Sequence, residues 1–474
     1  MSSDALRLTF HGAAGTVTGS KHLLQVGDTR VLLDAGLFQG RKQLRLRNWA
    51  EPSFDPASVD HLLLSHTHID HVGYLPRLVK LGLSAPVYCT PAAYELAELM
   101  LMDSAKIQEE DARHANRKGY SKHKPALPLY TREDAQAALD LRQRLDFDEW
   151  LELGPLRARF LNAGHILGSA FIEIRVPRGE RAQGKDEVRI VYSGDVGRYD
   201  APLHVDPEPC PPCDVLIMES TYGDRLHTST SILKQIETPF RETLAGGGTI
   251  LIPAFAVGRS QQITLVLRRL MKAGRLPEVP IHIDSPMAIK ATSIYSSHLN
   301  ADNVDADVFE DGRLRLFPED VHFHRSTDES KDLNRLDGPR IIVSASGMLT
   351  GGRVLHHVKR LAGDPKNLIT LVGYQAHGTR ARALVEGHRA VRIHGSQVPV
   401  RCPVLSLHGM SGHADRDGLL KWADGGEHPP ALVFLVHGDP GPAAALARKM
   451  REETSARTIT PSLDETFDLT ELLS

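Results

Sequence analysis

The chain has 474 residues, 24 of them histidine and only 4 cysteine. Lys plus Arg (56) nearly balances Asp plus Glu (59), which excludes a uniformly basic nucleic-acid coat but leaves room for a local basic groove. An apolar content of 41% with 24% charged residues excludes a disordered chain, and no apolar run approaches the roughly 18 residues of a membrane helix.

Length alone suggests two or three domains at about 150 residues each. The first residues lack a basic n-region and an apolar h-region, so no signal peptide is expected. Four cysteines do not form a disulfide framework, which points to a reducing cytoplasm. Short β-rich runs at 6–10, 22–26 and 29–36 open the chain, bounded by glycines. An apolar strand at 62–66 runs into a histidine cluster. A helix is predicted over 73–81, a strand over 86–90, and a long helix from Pro91, which suits a first helical turn. Strands recur at 156–162, 170–177 and 189–195, with the charged stretch 178–187 as a solvated hairpin tip.

From 249 to 386 strand and helix alternate. Apolar runs beginning at 249, 281, 340 and 368 lead into helices at 258–273, 287–299, 353–362 and 379–386. Near-continuous apolar strands indicate burial on both faces, hence a doubly wound parallel α/β domain. Strands return at 398–409 and 431–438, with helices at 415–424 and 441–453. The expected arrangement is an α/β domain inserted into another. Residues 1–220 open the host domain, 221–400 form the insert, and 401–474 resume the host.

Four candidate ligands fall within six residues in His66-Thr67-His68-Ile69-Asp70-His71, where an apolar strand ends. A turn leaving a strand can direct His66 and His68 to one metal and Asp70 and His71 to a neighbour. One loop cannot close two sites. His165, Asp195 and His437 each sit, glycine-flanked, where another apolar strand ends. They complete the set: His66, His68 and His165 on one ion, Asp70, His71 and His437 on the other, Asp195 bridging. Imidazole and carboxylate donors without thiolate suit Zn²⁺, with Mn or Fe as alternatives.

A His-x-His-x-Asp-His run with a later His, Asp and His resembles the metallo-β-lactamase superfamily, and more narrowly its β-CASP branch of nucleases. The resemblance covers nearly the whole chain. Asp34 in VLLDAG matches the first motif, Glu219 in MESTYGD motif A, His413 in SGHAD motif B, and His437 in VHGD motif C. His377, where relatives more often carry Glu, is a departure. The resemblance implies an αββα sandwich with an inserted β-CASP domain, two Zn²⁺ ions, and activity like that of the RNA-processing members. A histidine at motif C points to RNA over DNA.

The implied mechanism is hydrolysis of single-stranded RNA in a cleft between the two domains by a metal-bound hydroxide. His413 is the general acid, Glu219 holds it protonated, and Asp70 contributes at the metals; the products are a 5′-phosphate and a 3′-hydroxyl. Asp34 is expected to orient a ligand histidine. Ser344, Ser346 and Gly347 follow a buried strand and are candidate phosphate donors. Arg259 and Arg353 open predicted helices and are candidates to face the cleft. The basic stretch 113–124, with Tyr120 and Lys122, is a candidate RNA element combining phosphate contact with a stacking ring. Cys210 and Cys213 have CxxC spacing without a second pair, so a linker reading suffices. The partners expected are single-stranded RNA and a second copy of the chain as a homodimer, with no membrane. The competing readings are a hydrolase of DNA or of a small ester or thioester, and a non-catalytic RNA-binding scaffold.

Overall fold

The structure is a computed structural model that describes residues 6–119, 121–177, 187–228, 230–299, 306–310, 313–373, 375, 378–407, 409–424 and 429–473. It divides into two compact units. The first comprises the chain up to Tyr199, Asp206–Leu226 and everything from His413; the second comprises Asp200–Val205 and His227–Gly412.

The first unit is an αββα sandwich. In one seven-stranded sheet, Leu6–Phe10, His22–Val26, Thr29–Leu33, His61–Leu63, Val87–Cys89 and Arg142–Arg144 lie in sequence order, and Thr466–Asp468 pairs with the first of them. In the other, Leu151–Leu153, Leu156–Asn162, Ala170–Pro177, Glu187–Tyr192, Val215–Glu219, Leu432–Val436 and Arg457–Ile459 also follow chain order. Period-two alternation decides which face each residue covers. Ile172, Ile174 and Val176 meet Leu8, Phe10 and Leu24 in the core between the sheets. Phe171, one residue out of phase, packs with Trp422 and Leu446 under the outer helices. Helices Leu75–Lys80, Pro91–Lys118 and Arg132–Asp140 close the other outer face.

The helix predicted over 73–81 forms over Leu75–Lys80, with Pro76 in its first turn, and is preceded by a separate short helix, Ile69–Val72. The last strand predicted in this region ends at Tyr192, short of 195, and Gly194 turns the chain at φ 50°. The tip expected at 178–187 falls, but for Glu187, outside the described residues.

The second unit is doubly wound. Six parallel strands run Val321–Phe323, Ile281–Ile283, Arg340–Ser344, Thr249–Pro253, Leu368–Val372 and Val404–Leu407 across the sheet. The four central ones are buried along their whole length, as the apolar runs require. Apolar cores lie on both faces.

The chain leaves the second unit later than the sequence suggests. Val404–Leu407 pairs in parallel with Leu368–Val372, and the second unit runs on to Gly412. At the other boundary, 221–226 stays with the first unit, where the Arg225 carbonyl accepts the Arg416 N–H at 3.1 Å. Among the described residues no helix is long and apolar enough to cross a membrane, and the four cysteines are free thiols.

Candidate metal centre

The histidine cluster occupies the loop after His61–Leu63 and the short helix Ile69–Val72. Three backbone hydrogen bonds fix it from neighbouring turns: Ser20 N–H to Asp70 O (2.9 Å), Ala35 N–H to His71 O (2.7 Å) and Leu37 N–H to Ile69 O (3.0 Å). Such close approach needs glycine at position 36, where a Cβ would fall 1.6 Å from the Asp70 carbonyl oxygen. The ammonium of Lys21, buried beneath, donates to Gly19 O at 2.9 Å and Gly36 O at 2.7 Å and ties these turns together.

Loops from three other strand ends, carrying His165, Asp195 and His437, complete the cluster. His66, His68, His165 and Asp195 each offer a ligand atom within 4.8 Å of the others, and Asp70, His71 and His437 do the same. Asp195 lies between the two sets. Its Oδ2 is 3.4 Å from His66 Nε2 and 3.5 Å from His165 Nε2. Its Oδ1 is 3.3 Å from His71 Nε2 and 3.5 Å from His437 Nδ1. Imidazole nitrogens converge within each set: His66 Nε2 and His165 Nε2 lie 3.2 and 3.1 Å from His68 Nδ1, and His71 Nε2 is 3.1 Å from His437 Nε2.

These residues fit metal ions. Asp195 Oδ1 is buried and makes no hydrogen bond, a costly state for a carboxylate oxygen unless a cation satisfies it. Burial holds the His66, His68 and His165 pKa values below the ordinary histidine value, so they are neutral, the form that ligates. Burial pushes the Asp195 carboxyl up, but the imidazoles of His437 and His71 reverse this and hold it well below the usual range. Nitrogen and oxygen donors without thiolate are a ligand set for a borderline divalent metal.

Asp34 is fully buried, at φ 62°. Its Oδ1 accepts the Ser65 N–H at 2.7 Å; its Oδ2 accepts Ser65 Oγ–H (2.7 Å), Tyr192 O–H (2.6 Å) and His71 Nδ1–H (2.7 Å). With both oxygens occupied, the carboxylate orients His71 and turns its Nε2 toward the cluster. Burial raises the Asp34 carboxyl, and the hydrogen bond and charge of His71 outweigh that. His437, at φ 48°, is held by its N–H to Ala13 O at 2.7 Å and by Thr221 Oγ1, 3.1 Å from its Nδ1. Ser65, Tyr192, Thr221 and Lys21 are functional supports that sequence reasoning missed. Only the adjacency of Ser65 to His66 and the place of Thr221 within MESTYGD would have signalled any of them.

Glu219 ends the strand Val215–Glu219 and is fully buried. Its two oxygens each lie 3.1 Å from His413 Nδ1, and Oε1 also accepts the Val196 N–H at 2.7 Å. Asp195, Glu219, His413 and His437 also cluster within 4.8 Å, but the Glu219 oxygens are engaged by these donors. The His413 side chain is 17% exposed. Because Nδ1–H donates to Glu219, Nε2 is the ring atom that can deliver a proton.

The candidate RNA contacts divide. Ser344 is fully buried and gives its hydroxyl to Asp284 O at 2.9 Å, so it does not fit the phosphate-donor role expected of it. Ser346 Oγ, in the turn that follows, is 2.9 Å from Thr350 Oγ1, and Gly347 packs against Phe255. Arg353 is committed internally, to Asp284 Oδ1 (2.8 Å), His324 O (3.0 Å) and Arg325 O (2.9 Å). Arg259 is buried at the start of its helix and donates to Gln262 Oε1. Lys122 is exposed, whereas Tyr120 and His377 lie outside the described residues.

Three family profiles match this chain: the metallo-beta-lactamase superfamily over 16–179, the Beta-Casp domain over 260–384, and the Zn-dependent metallo-hydrolase RNA specificity domain over 397–461. A ribonuclease of Thermus thermophilus is 40% identical over 446 residues, which span 94% of this chain and 95% of that protein. A transcription termination factor of Methanocaldococcus jannaschii is 29% identical over 469 residues, 96% of this chain and 70% of that one. A crystal structure of a protein of unknown function from Enterococcus faecalis V583 superposes with a TM-score of 0.51 at 14% identity, covering 98% of this chain and 99% of that one, a likeness of fold alone.

Proposed function

The chain belongs to the metallo-β-lactamase superfamily, in the branch that carries a Beta-Casp domain, and from that premise we propose that it is a zinc-dependent ribonuclease hydrolysing phosphodiester bonds of single-stranded RNA. The observation that carries this reading is the pairing of two ligand sets, joined through the two oxygens of Asp195, with the Glu219–His413 couple beside them. The match to an RNA specificity domain and the name of the Thermus thermophilus relative support RNA as the substrate.

In this reading His66, His68 and His165 would hold one Zn²⁺ and Asp70, His71 and His437 would hold the other, with Asp195 available to both sets. Bound in this way, such ions activate water at neutral pH and neutralise charge on a phosphate. The remaining chemistry belongs to the chain. Water adds to phosphorus, the bond from phosphorus to O3′ breaks, and His413 Nε2 delivers a proton to the departing oxygen, leaving a 5′-phosphate and a 3′-hydroxyl. Glu219 accepts the Nδ1–H and fixes the ring's orientation; the proton that Nε2 delivers is that of the doubly protonated imidazolium. The Val196 N–H in turn holds Glu219. Asp34 keeps His71 turned to its ion.

The test is incubation of metal-analysed, full-length protein with 5′-labelled single-stranded RNA, matched DNA, an RNA duplex, and a lactone and a thioester. Cleavage of single-stranded RNA that a chelator abolishes and Zn²⁺ restores is expected. Faster turnover of DNA, lactone or thioester than of RNA would sink the reading.

A further inference from the structure

The segment after Gly36 leaves the ligand loop and forms the helix Lys42–Arg47, which buries none of its residues. Residues 38–50 carry Arg41, Lys42, Arg45 and Arg47 and no acidic residue. Among the described residues, no salt bridge engages any of these four cations; Arg47 alone has a partner, the Phe38 ring 5.5 Å away. Leu46 is 55% exposed and Trp49 51% exposed, both among the most exposed large apolar side chains described. The cations thus flank two half-exposed apolar side chains, Leu46 and Trp49, three positions apart in the chain.

The foot of this segment is fixed. Asn48 Oδ1 accepts the Phe38 N–H at 2.9 Å while its Nδ2 donates to Phe38 O at 2.8 Å, closing the loop on itself. Gln39 N–H donates to Thr18 Oγ1 at 3.1 Å. The Phe38 ring lies 4.4 Å from the Lys21 ammonium, and Leu37 N–H is bonded to the ligand loop at Ile69 O. The exposed helix is thus anchored to the backbone that carries Asp70 and His71.

We propose that helix Lys42–Arg47 and Trp49 form a docking track for the nucleotides of single-stranded RNA that flank the bond being cut, an assignment that rests on the ribonuclease reading. Cations without acidic partners match the phosphates, and an exposed indole offers a stacking platform for an unpaired base. A duplex keeps its bases from such a ring, and an acidic peptide would use the cations alone.

The experiment measures binding of a fluorescent single-stranded RNA to full-length protein by anisotropy across a salt series. The proteins are wild type, Trp49→Ala, the triple variant Arg41→Ala/Lys42→Ala/Arg45→Ala, and Lys331→Ala/Arg335→Ala as a control for charge removal. Trp49→Ala is expected to weaken binding by about 10-fold, within the range of one stacked base. The triple variant should lower the slope of log affinity against log salt by about 2, at roughly 0.7 per phosphate contact; the control should match wild type. If wild type binds RNA and the Trp49 and triple variants bind it equally well with the same slope, the track is overturned while the ribonuclease reading stands. If wild type neither binds nor cleaves RNA, both fall. Weakened binding of polyglutamate by the triple variant, with RNA binding intact, overturns the track in favour of an acidic protein segment.

Discussion

The Oδ2 of Asp34 lies 2.7 Å from Nδ1 of His71, and neither side chain has any exposed surface. A carboxylate only accepts hydrogen bonds, so Nδ1 carries the proton and Nε2 is the atom presented to Asp195 and His437. Asp34→Ala is therefore expected to weaken metal affinity by about 10- to 100-fold, the usual effect of removing such a partner. Competition against a chelator of known affinity measures this. Unchanged affinity would mean that packing alone orients His71.

The ligand cluster buries Asp195, with its unsatisfied Oδ1, among five histidines and Asp70. Bound metal stabilises the folded chain by mass action, roughly 3–4 kcal/mol at 100 to 1,000 times the dissociation constant. Removing metal with a chelator is expected to lower the midpoint of thermal unfolding by several degrees, and Zn²⁺ should restore it. A melting curve indifferent to both would argue against metal in this cluster.

How much of this site is legible in sequence depends on the type of residue. The seven candidate ligands share one context, a short loop leaving an apolar strand, and the fold brings those loops to one edge of the two sheets. Ser65, Tyr192 and Thr221 carry hydroxyls that make their hydrogen bonds only after strands far apart in sequence are aligned, so no spacing marks them. Lys21 is missed because a cation beside a strand ordinarily points to water; here two carbonyls and the Phe38 and Tyr74 rings receive it. For Ser344 the sequence does not say whether a strand-end hydroxyl is covered; here it is buried and donates to Asp284 O. The late end of the insert has the same origin, because the apolar run at 404–407 suits an edge of either sheet and only its pairing with Leu368–Val372 decides.

His22 is expected to make the first unit acid-sensitive. It is fully buried against Phe10 (5.2 Å) and Tyr192 (5.4 Å), and neither ring nitrogen has a hydrogen-bond partner. Burial lowers its pKa from 6.5 to about 3, a fall that nearby Asp34 only partly opposes. Between those values the unfolded chain binds a proton that the folded chain does not, so stability is complete above pH 6.5 and declines as pH falls toward 3. At about pH 4.5 the loss is expected to be about 3 kcal/mol. Denaturant unfolding of chelated wild type and His22→Phe near neutral pH and again near pH 4.5 isolates it. Wild type should lose more stability than the variant, and parallel losses would reject the assignment.

In the proposed mechanism metal binding and proton delivery reside in different residues of one site. The most direct measurement is the rate of single-stranded RNA cleavage by His413→Ala, with metal content determined on the same sample. The expected result is the wild-type complement of metal with a rate at least about 100-fold lower, the contribution of a general acid. Cleavage at the wild-type rate, or a variant that has lost its metal, would contradict it.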